Sequence, residues 1–137
     1  FSIWEGATNV LALDVIRAIE KENAFAPFVQ GILQRIGAAD WDVIAPEVKQ
    51  VKEACKQLQA FLAEASKGGA EFVHAASRQF AYSLARTCAA SLMLEKAQNS
   101  KLARDAVSAQ RWCAHGLVSF LHADTEHREK TKLLLMK

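Results

Sequence analysis

The sequence predicts an all-α fold, an antiparallel bundle of five to six helices built as one domain. Apolar residues recur at intervals of three and four, which is the period of a helix with one buried face. The 137 residues include only six glycines and two prolines, so little interrupts a helical chain. Apolar residues make up 51% of the sequence, enough for the core of a single domain.

Capping residues and prolines define the first two predicted helices. The first helix is predicted to start near Thr8 or Asn9, since either side chain can cap it, and to end near Asn23. Pro27 suits the first turn of a second helix, which ends around Gly37. Both helices present apolar residues in successive turns and are therefore predicted to face the core.

Two long helices are predicted in the middle of the chain. After a linker at residues 38–42, Pro46 opens the third helix. Gly68-Gly69 is the clearest break in the sequence, and the fourth helix is predicted over residues 70–97. Its predicted apolar face consists of Phe72, Ala76, Phe80, Leu84, Cys88 and Leu92. Its small residues predict close neighbours on more than one side; they are Ala75, Ala76, Ala81, Ala85, Ala89 and Ala90.

A fifth helix is predicted over residues 102–121 and a short sixth segment over 125–136. The fifth helix carries an apolar stripe of Leu102, Ala106, Ala109, Cys113, Leu117 and Phe120. The sixth segment ends in the apolar run 133–136, which is either a contact surface or the last turn of a buried helix.

Charge and hydropathy exclude several functional classes. The formal net charge is +2, and Lys101, Arg104 and Arg111 alternate with acidic residues, so the sequence argues against a nucleic-acid binder. No stretch approaches the roughly 18 apolar residues of a membrane span. The chain opens on Phe1 without a charged leader, which suggests a cut inside a larger protein.

The cysteines and histidines do not form a recognisable metal or catalytic pattern. Three distant cysteines sit on predicted apolar stripes and are interpreted as free, buried thiols of a reducing compartment. Cys113 and His115 are two residues apart on a helix and point to different faces. His74, His122 and His127 lack zinc spacing, so no metal site is predicted.

One short segment, Trp4-Glu5-Gly6, has the character of a reactive site. A carboxylate beside an indole is partly desolvated, which raises its pKa and suits a general base. A glycine next to it permits a close approach of ligand to backbone. The alternative is a loop glutamate that precedes a capped helix.

The opening residues 3–17, IWEGATNVLALDVIR, resemble the C-terminal signature of acyl-CoA dehydrogenases. They are most similar to a subgroup that includes the alkylation-response protein AidB and the large animal relatives called family members ten and eleven. The segments 80–87 and 92–95 also resemble the helical C-terminal extension of that subgroup. The resemblance rests on these short sequence segments, while the remaining helices are similar to the family only in their general helical and apolar pattern.

The resemblance implies an FAD-dependent enzyme that dehydrogenates an acyl-CoA thioester. By position Glu5 is the base that removes the α-proton, while the β-hydrogen leaves as hydride to FAD. Gly6 matches a position along the substrate, and Ala7, Thr8 and Asn9 match positions that contact FAD. Ala7 replaces the usual threonine, so one hydroxyl contact to the cofactor is missing.

These expectations divide the chain into an active-site loop edge at residues 1–9 and a helical bundle at 10–137. Alone, the chain is expected to be inactive and to bind no FAD tightly, since most of the family's cofactor contacts lie upstream. The implied partners are an acyl-CoA substrate, further copies through the C-terminal helices as a dimer or tetramer, and an electron-transfer flavoprotein. The implied location is a mitochondrial or peroxisomal matrix, or a bacterial cytoplasm. The alternatives are an AidB-like DNA-binding protein and a purely structural oligomerisation domain.

Overall fold

The computed structural model describes residues 2–119 and 133–134, with side chains from residue 11 onward except those of residues 66 and 68–75. Within this part the chain is helical and contains no strand, which confirms the predicted all-α fold. The elements are α1 (Ser2–Glu22), α2 (Phe25–Gly37), a short 3-10 helix (Asp42–Ile44), α3 (Ala45–Ser100) and α4 (Ala103–Ala114).

Helix α1 starts earlier than the sequence predicts. Its backbone is helical from Ser2, whereas capping residues favoured a start near Thr8 or Asn9. Gly6 is the weakest helix former in this stretch, and one glycine costs only about 1 kcal/mol, less than is needed to end a helix. The C-terminal end agrees with the prediction, since Asn23 takes a left-handed conformation with φ 49°.

Helix α2 packs one apolar face into the core. It begins at Phe25, two residues before Pro27, whose missing N–H falls among the first four amides that have no partner inside the helix. Val29, Ile32 and Ile36 are buried one turn apart, as their spacing predicts.

The predicted linker at residues 38–42 is tied to the end of α3. The Trp41 amide donates to Gln98 Oε1 at 3.2 Å, and Lys101 Nζ lies 5.3 Å from the Trp41 ring centroid. Asp40 accepts hydrogen bonds from the Gln98 side chain and from Lys101, which together lower the pKa of the Asp40 carboxyl. These contacts hold the linker against the far end of a helix that is distant in sequence.

The helical run Ala45–Ser100 reverses direction part-way along its length. Phe61 and Phe80 stack with ring centroids 5.0 Å apart. Nineteen residues of straight α-helix would separate them by about 28 Å. Ala65 and Ala76, which are nearer to the middle of the run, belong to the same buried cluster, so the reversal lies between them.

The reversal agrees in position with the predicted break at Gly68-Gly69. The sequence predicted two helices separated there, and the structure instead keeps helical backbone throughout α3. We call residues 45–65 the first arm and residues 76–100 the second arm. The two arms pack antiparallel, so the predicted bundle topology holds although the predicted gap between helices does not.

Two buried clusters form the core along the arms. One lies where the arms meet α2 and α4, and the other lies nearer the reversal, where α1 also packs. Members of the first cluster include Ile32, Ile36, Ile44, Val51, Leu94, Ala109 and Cys113. Members of the second are Ile16, Leu58, Phe61, Ala65, Ala76, Phe80 and Leu84.

The predicted apolar face of the second arm is only partly correct. Ala76, Phe80 and Leu84 are buried, but Cys88 is half-buried and Leu92 is 48% exposed. Residues spaced by four advance about 40° around a helix at each step, so four steps from Ala76 to Leu92 turn about 160° away from the core. The buried face continues instead through Ala90, Leu94 and Ala97.

Helix α4 is shorter than the predicted fifth helix and ends before Gly116, whose φ is +85°. Ser100 Oγ donates to Asp105 at 2.7 Å, and this hydrogen bond, with the nearby Lys96, lowers the pKa of Asp105. The predicted stripe is buried from Ala106 to Leu117, but Leu102 is exposed. Phe120 lies outside the described residues, as does most of the predicted sixth segment.

Candidate functional site

The predicted site residues lie in the first turns of α1. The backbone is helical from Glu5 through Asn9, while the side chains of residues 2–10 lie outside the described ones. Helical spacing places Glu5 and Asn9 one turn apart on one face, with Thr8 beside them. Gly6 and Ala7 occupy the helical positions between Glu5 and Thr8.

A helical start changes which groups could contact FAD. The backbone N–H of Ala7 is expected to bond the Ile3 carbonyl within the helix, and alanine has no side-chain donor. Ala7 therefore offers nothing to a cofactor in this conformation. The FAD contacts predicted for Thr8 and Asn9 involve side chains outside the described ones and stay a prediction.

An apolar groove lies beside α1. It has a volume of about 550 Å³ and opens between α1, α2 and the second arm. Its lining is apolar throughout: Val15, Ala18, Ile19, Ala24, Phe25, Phe28, Ala81, Leu84, Ala85, Cys88, Ala89 and Leu92. The volume matches small-molecule pockets, but a site that binds a polar ligand also needs polar groups to orient it.

Sequence reasoning missed this groove, although it noted some of the residues that form it. Ala81, Ala85 and Ala89 were expected to let neighbouring helices approach closely, and they line the open groove instead. Small residues spaced by four permit either a close helix contact or a shallow channel. Which of these forms depends on where α1 and α2 pack, and a local pattern does not encode that.

The three thiols are free in the structure, and two are buried, as their positions on apolar stripes predict. Burial raises the pKa of Cys55, and burial with the negative charge of Glu47 raises the pKa of Cys113 to about 11. Nucleophilic cysteines need a lowered pKa and access to solvent. Cys55 and Cys113 therefore act as core residues.

Polar groups elsewhere show no catalytic arrangement within the described part. Among the described residues, no three or more His, Cys, Asp or Glu side chains lie close enough to hold a metal ion. Cys113 is buried whereas His115 is exposed, so they point to different sides as predicted. No described helix is both long enough and apolar enough to cross a bilayer.

Comparison with known proteins places the chain in a family. The family described as "Acyl-CoA dehydrogenase 11 C-terminal domain-like" matches residues 23–135. The chain belongs to this family. Acyl-CoA dehydrogenase family member 11 of Caenorhabditis elegans is 34% identical over 119 residues, which are 81% of this chain and 19% of that relative. No solved structure matches the chain.

Membership of this acyl-CoA dehydrogenase family confirms the resemblance inferred from the sequence. The matched region runs from the end of α1 to near the C-terminus, so α2, α3 and α4 form the family domain. The residues predicted to act in catalysis lie before residue 23 and outside that match. The chain spans about a fifth of the length of the relative.

Proposed function

We propose that the chain is part of an FAD-dependent acyl-CoA dehydrogenase in which α1 carries the catalytic base into the active site. The observation that carries this proposal is family membership together with the segment Trp4-Glu5-Gly6, which lies N-terminal to the family domain on α1. Helix α1 packs on α3, so the family domain supports the helix that bears the segment. The activity belongs to the longer parent protein.

The proposed role of Glu5 is proton abstraction. Its carboxylate accepts the α-proton of an acyl-CoA thioester and so acts as the general base. Gly6 lets the substrate pass close to the helix. When bound, FAD supplies the acceptor for the β-hydride. Thr8 and Asn9 would hold the cofactor through their side chains.

Replacement of the base in the parent protein tests the proposal. Glu5→Gln keeps the size of the side chain but cannot accept the proton, so we expect substrate-dependent flavin reduction to slow by about 10²–10⁴-fold. Glu20→Gln, an exposed carboxylate on the same helix, is the matched control and should reduce flavin at the normal rate. Unchanged flavin content and helical circular dichroism would show that both variants fold.

Two results would count against this assignment. Near-normal flavin reduction by the Glu5→Gln variant would show that Glu5 is not the catalytic base. A parent protein purified without flavin, and unable to take it up, would remove the dehydrogenase proposal itself. The isolated chain is expected to purify colourless, because only one edge of the expected site lies in it.

Three partners follow from the same proposal. The substrate is an acyl-CoA, and the electrons pass on to an electron-transfer flavoprotein. Self-association through the C-terminal helices would cover apolar surface that is open in the single chain, namely the groove and the exposed Leu92 beside it. The proposed compartment is a mitochondrial or peroxisomal matrix, or a bacterial cytoplasm.

A further inference from the structure

Two arginines and two aromatic residues form a surface patch, which we call the Arg–aromatic patch: Arg78, Tyr82 and Trp112 are exposed, and Arg86 is half-buried. The Arg78 and Arg86 guanidinium carbons lie 5.7 and 5.9 Å from the Tyr82 ring centroid, one turn before and one turn after it. The Trp112 indole donates to the Arg86 carbonyl at 3.0 Å, which fixes α4 against the second arm. Tyr82 and Trp112 are each 40% exposed.

The patch lies in the more basic part of a sequence whose charge is unevenly distributed. Residues 76–119 contain six Lys or Arg and two acidic residues, a formal charge of +4, whereas residues 11–65 contain six and eight, a formal charge of −2. Within the described part of the chain, neither Arg78 nor Arg86 takes part in an ion pair. The small overall charge therefore combines a basic stretch of sequence with a more acidic one, and the two arginines of the patch lie in the basic stretch.

We propose that the Arg–aromatic patch is a docking surface for an acidic protein segment. Tyr, Trp and Arg are the residue types that dominate binding energy at protein interfaces. Here the aromatic residues are held in place before binding, which lowers the entropic cost of association. The Arg78 and Arg86 guanidinium carbons lie 5.7 and 5.9 Å from the same ring centroid, so the partner presents two carboxylates no more than about 12 Å apart. This proposal is independent of the flavin and of Glu5.

Geometry favours a protein over a nucleic acid as the occupant. Single-stranded nucleic acids stack bases on exposed aromatic rings. Two guanidinium groups already lie over the Tyr82 ring, and the Trp112 indole is pinned to the second arm.

The test measures binding of a fluorescein-labelled 12-residue polyglutamate peptide by fluorescence anisotropy in 50 and 300 mM NaCl. We expect weak binding that is lost at the higher salt concentration. Arg78→Gln with Arg86→Gln removes two exposed carboxylate contacts, so Kd should rise about fivefold. Arg78→Lys with Arg86→Lys keeps the charge but loses the planar guanidinium group that binds a carboxylate through two hydrogen bonds. The Kd of this variant should therefore lie between those of wild type and the Gln variant.

The matched control is Lys52→Gln with Lys56→Gln, which removes two exposed charges from the first arm. Its Kd should change less than twofold. Equal weakening by the control would reduce the effect to net charge and overturn the proposal, as would no binding at 1 mM peptide. A 12-base-pair DNA duplex bound more tightly than the peptide, and weakened by the same arginine changes, would assign the patch to nucleic acid instead.

Discussion

The stacking of Phe61 on Phe80 provides the sharpest test of the fold, because it exists only if α3 turns back on itself. The Phe61 and Phe80 ring centroids are 5.0 Å apart, and the Phe25 ring lies 6.2 Å from Phe80 in a tilted arrangement. Phe80 is fully buried and Phe61 is 6% exposed. Substitution of either residue by Leu keeps an apolar side chain in the core but removes the ring contact.

The expected magnitude follows from a double-mutant cycle. Each single change, Phe61→Leu or Phe80→Leu, should lower the free energy of unfolding by about 1–1.5 kcal/mol. The double variant should lose about 0.5–1.5 kcal/mol less than the sum, because an aromatic pair contributes that much beyond its buried area. In a straight helix the two side chains would lie about 28 Å apart, and their effects would add within about 0.3–0.5 kcal/mol.

Urea unfolding followed by circular dichroism at 222 nm measures the four free energies. Phe61→Leu combined with Ile44→Val is the control cycle, since Ile44 is fully buried in the other cluster and should not couple to Phe61. Additive free energies for Phe61 and Phe80, within the error of the control cycle, would refute the reversal of α3 and the antiparallel arms with it.

Two further predictions concern backbone conformation and thiol chemistry. Gly116→Ala should destabilise the fold by about 1–2 kcal/mol because the φ of Gly116 is +85°, whereas Gly31→Ala inside α2 should stabilise it by about 0.5–1 kcal/mol. Neither new methyl group meets an atom within 4 Å, so the two variants differ only in backbone conformation. A urea titration that ranks their stabilities the other way would contradict this explanation. Half-buried Cys88 should react with a thiol reagent at pH 8 well before Cys55 and Cys113, and a Cys88→Ser variant that still shows a fast thiol would be inconsistent with the structure. The raised pKa of Cys113 also makes the free energy of unfolding depend on pH, because the thiol ionises at lower pH in the unfolded chain than in the folded one. The contribution of Cys113 is fully present below pH 9 and is lost as the pH rises towards 11. The free energy of unfolding should therefore fall less over this range in Cys113→Ala.

Local chemistry was enough to predict much of the fold. Helical periodicity gave the all-α class, and the ends of α1 and α2 follow from Asn23 and Gly37. The paired Gly68 and Gly69 marked where the chain turns, because glycines weaken a helix by an amount that depends only on the residues themselves. Helical spacing likewise identified Ile32, Ile36 and Phe80 as core residues.

Other features depend on how helices meet, and single-helix patterns misjudge them. A four-residue stripe drifts around a long helix, so the pattern predicts Leu92 in the core, whereas the buried face of the second arm runs through Ala90 and Leu94. The early start of α1 was missed because caps were weighed above a weak preference for helix in residues 2–8. The catalytic assignment of Glu5 rests on resemblance, since its side chain lies outside the described residues.

The sequence by itself determined the helical class, the family resemblance and the position of the reversal, since each depends only on residues that are close together in the sequence. The tertiary structure alone decided that Ala81, Ala85 and Ala89 line a groove, and that Trp112 joins Arg86 to complete a basic aromatic surface. Both features form between segments far apart in sequence. Their existence depends on the packing of α1, α2 and α4 against the arms, which is fixed by the burial of the whole apolar surface and not by any local pattern.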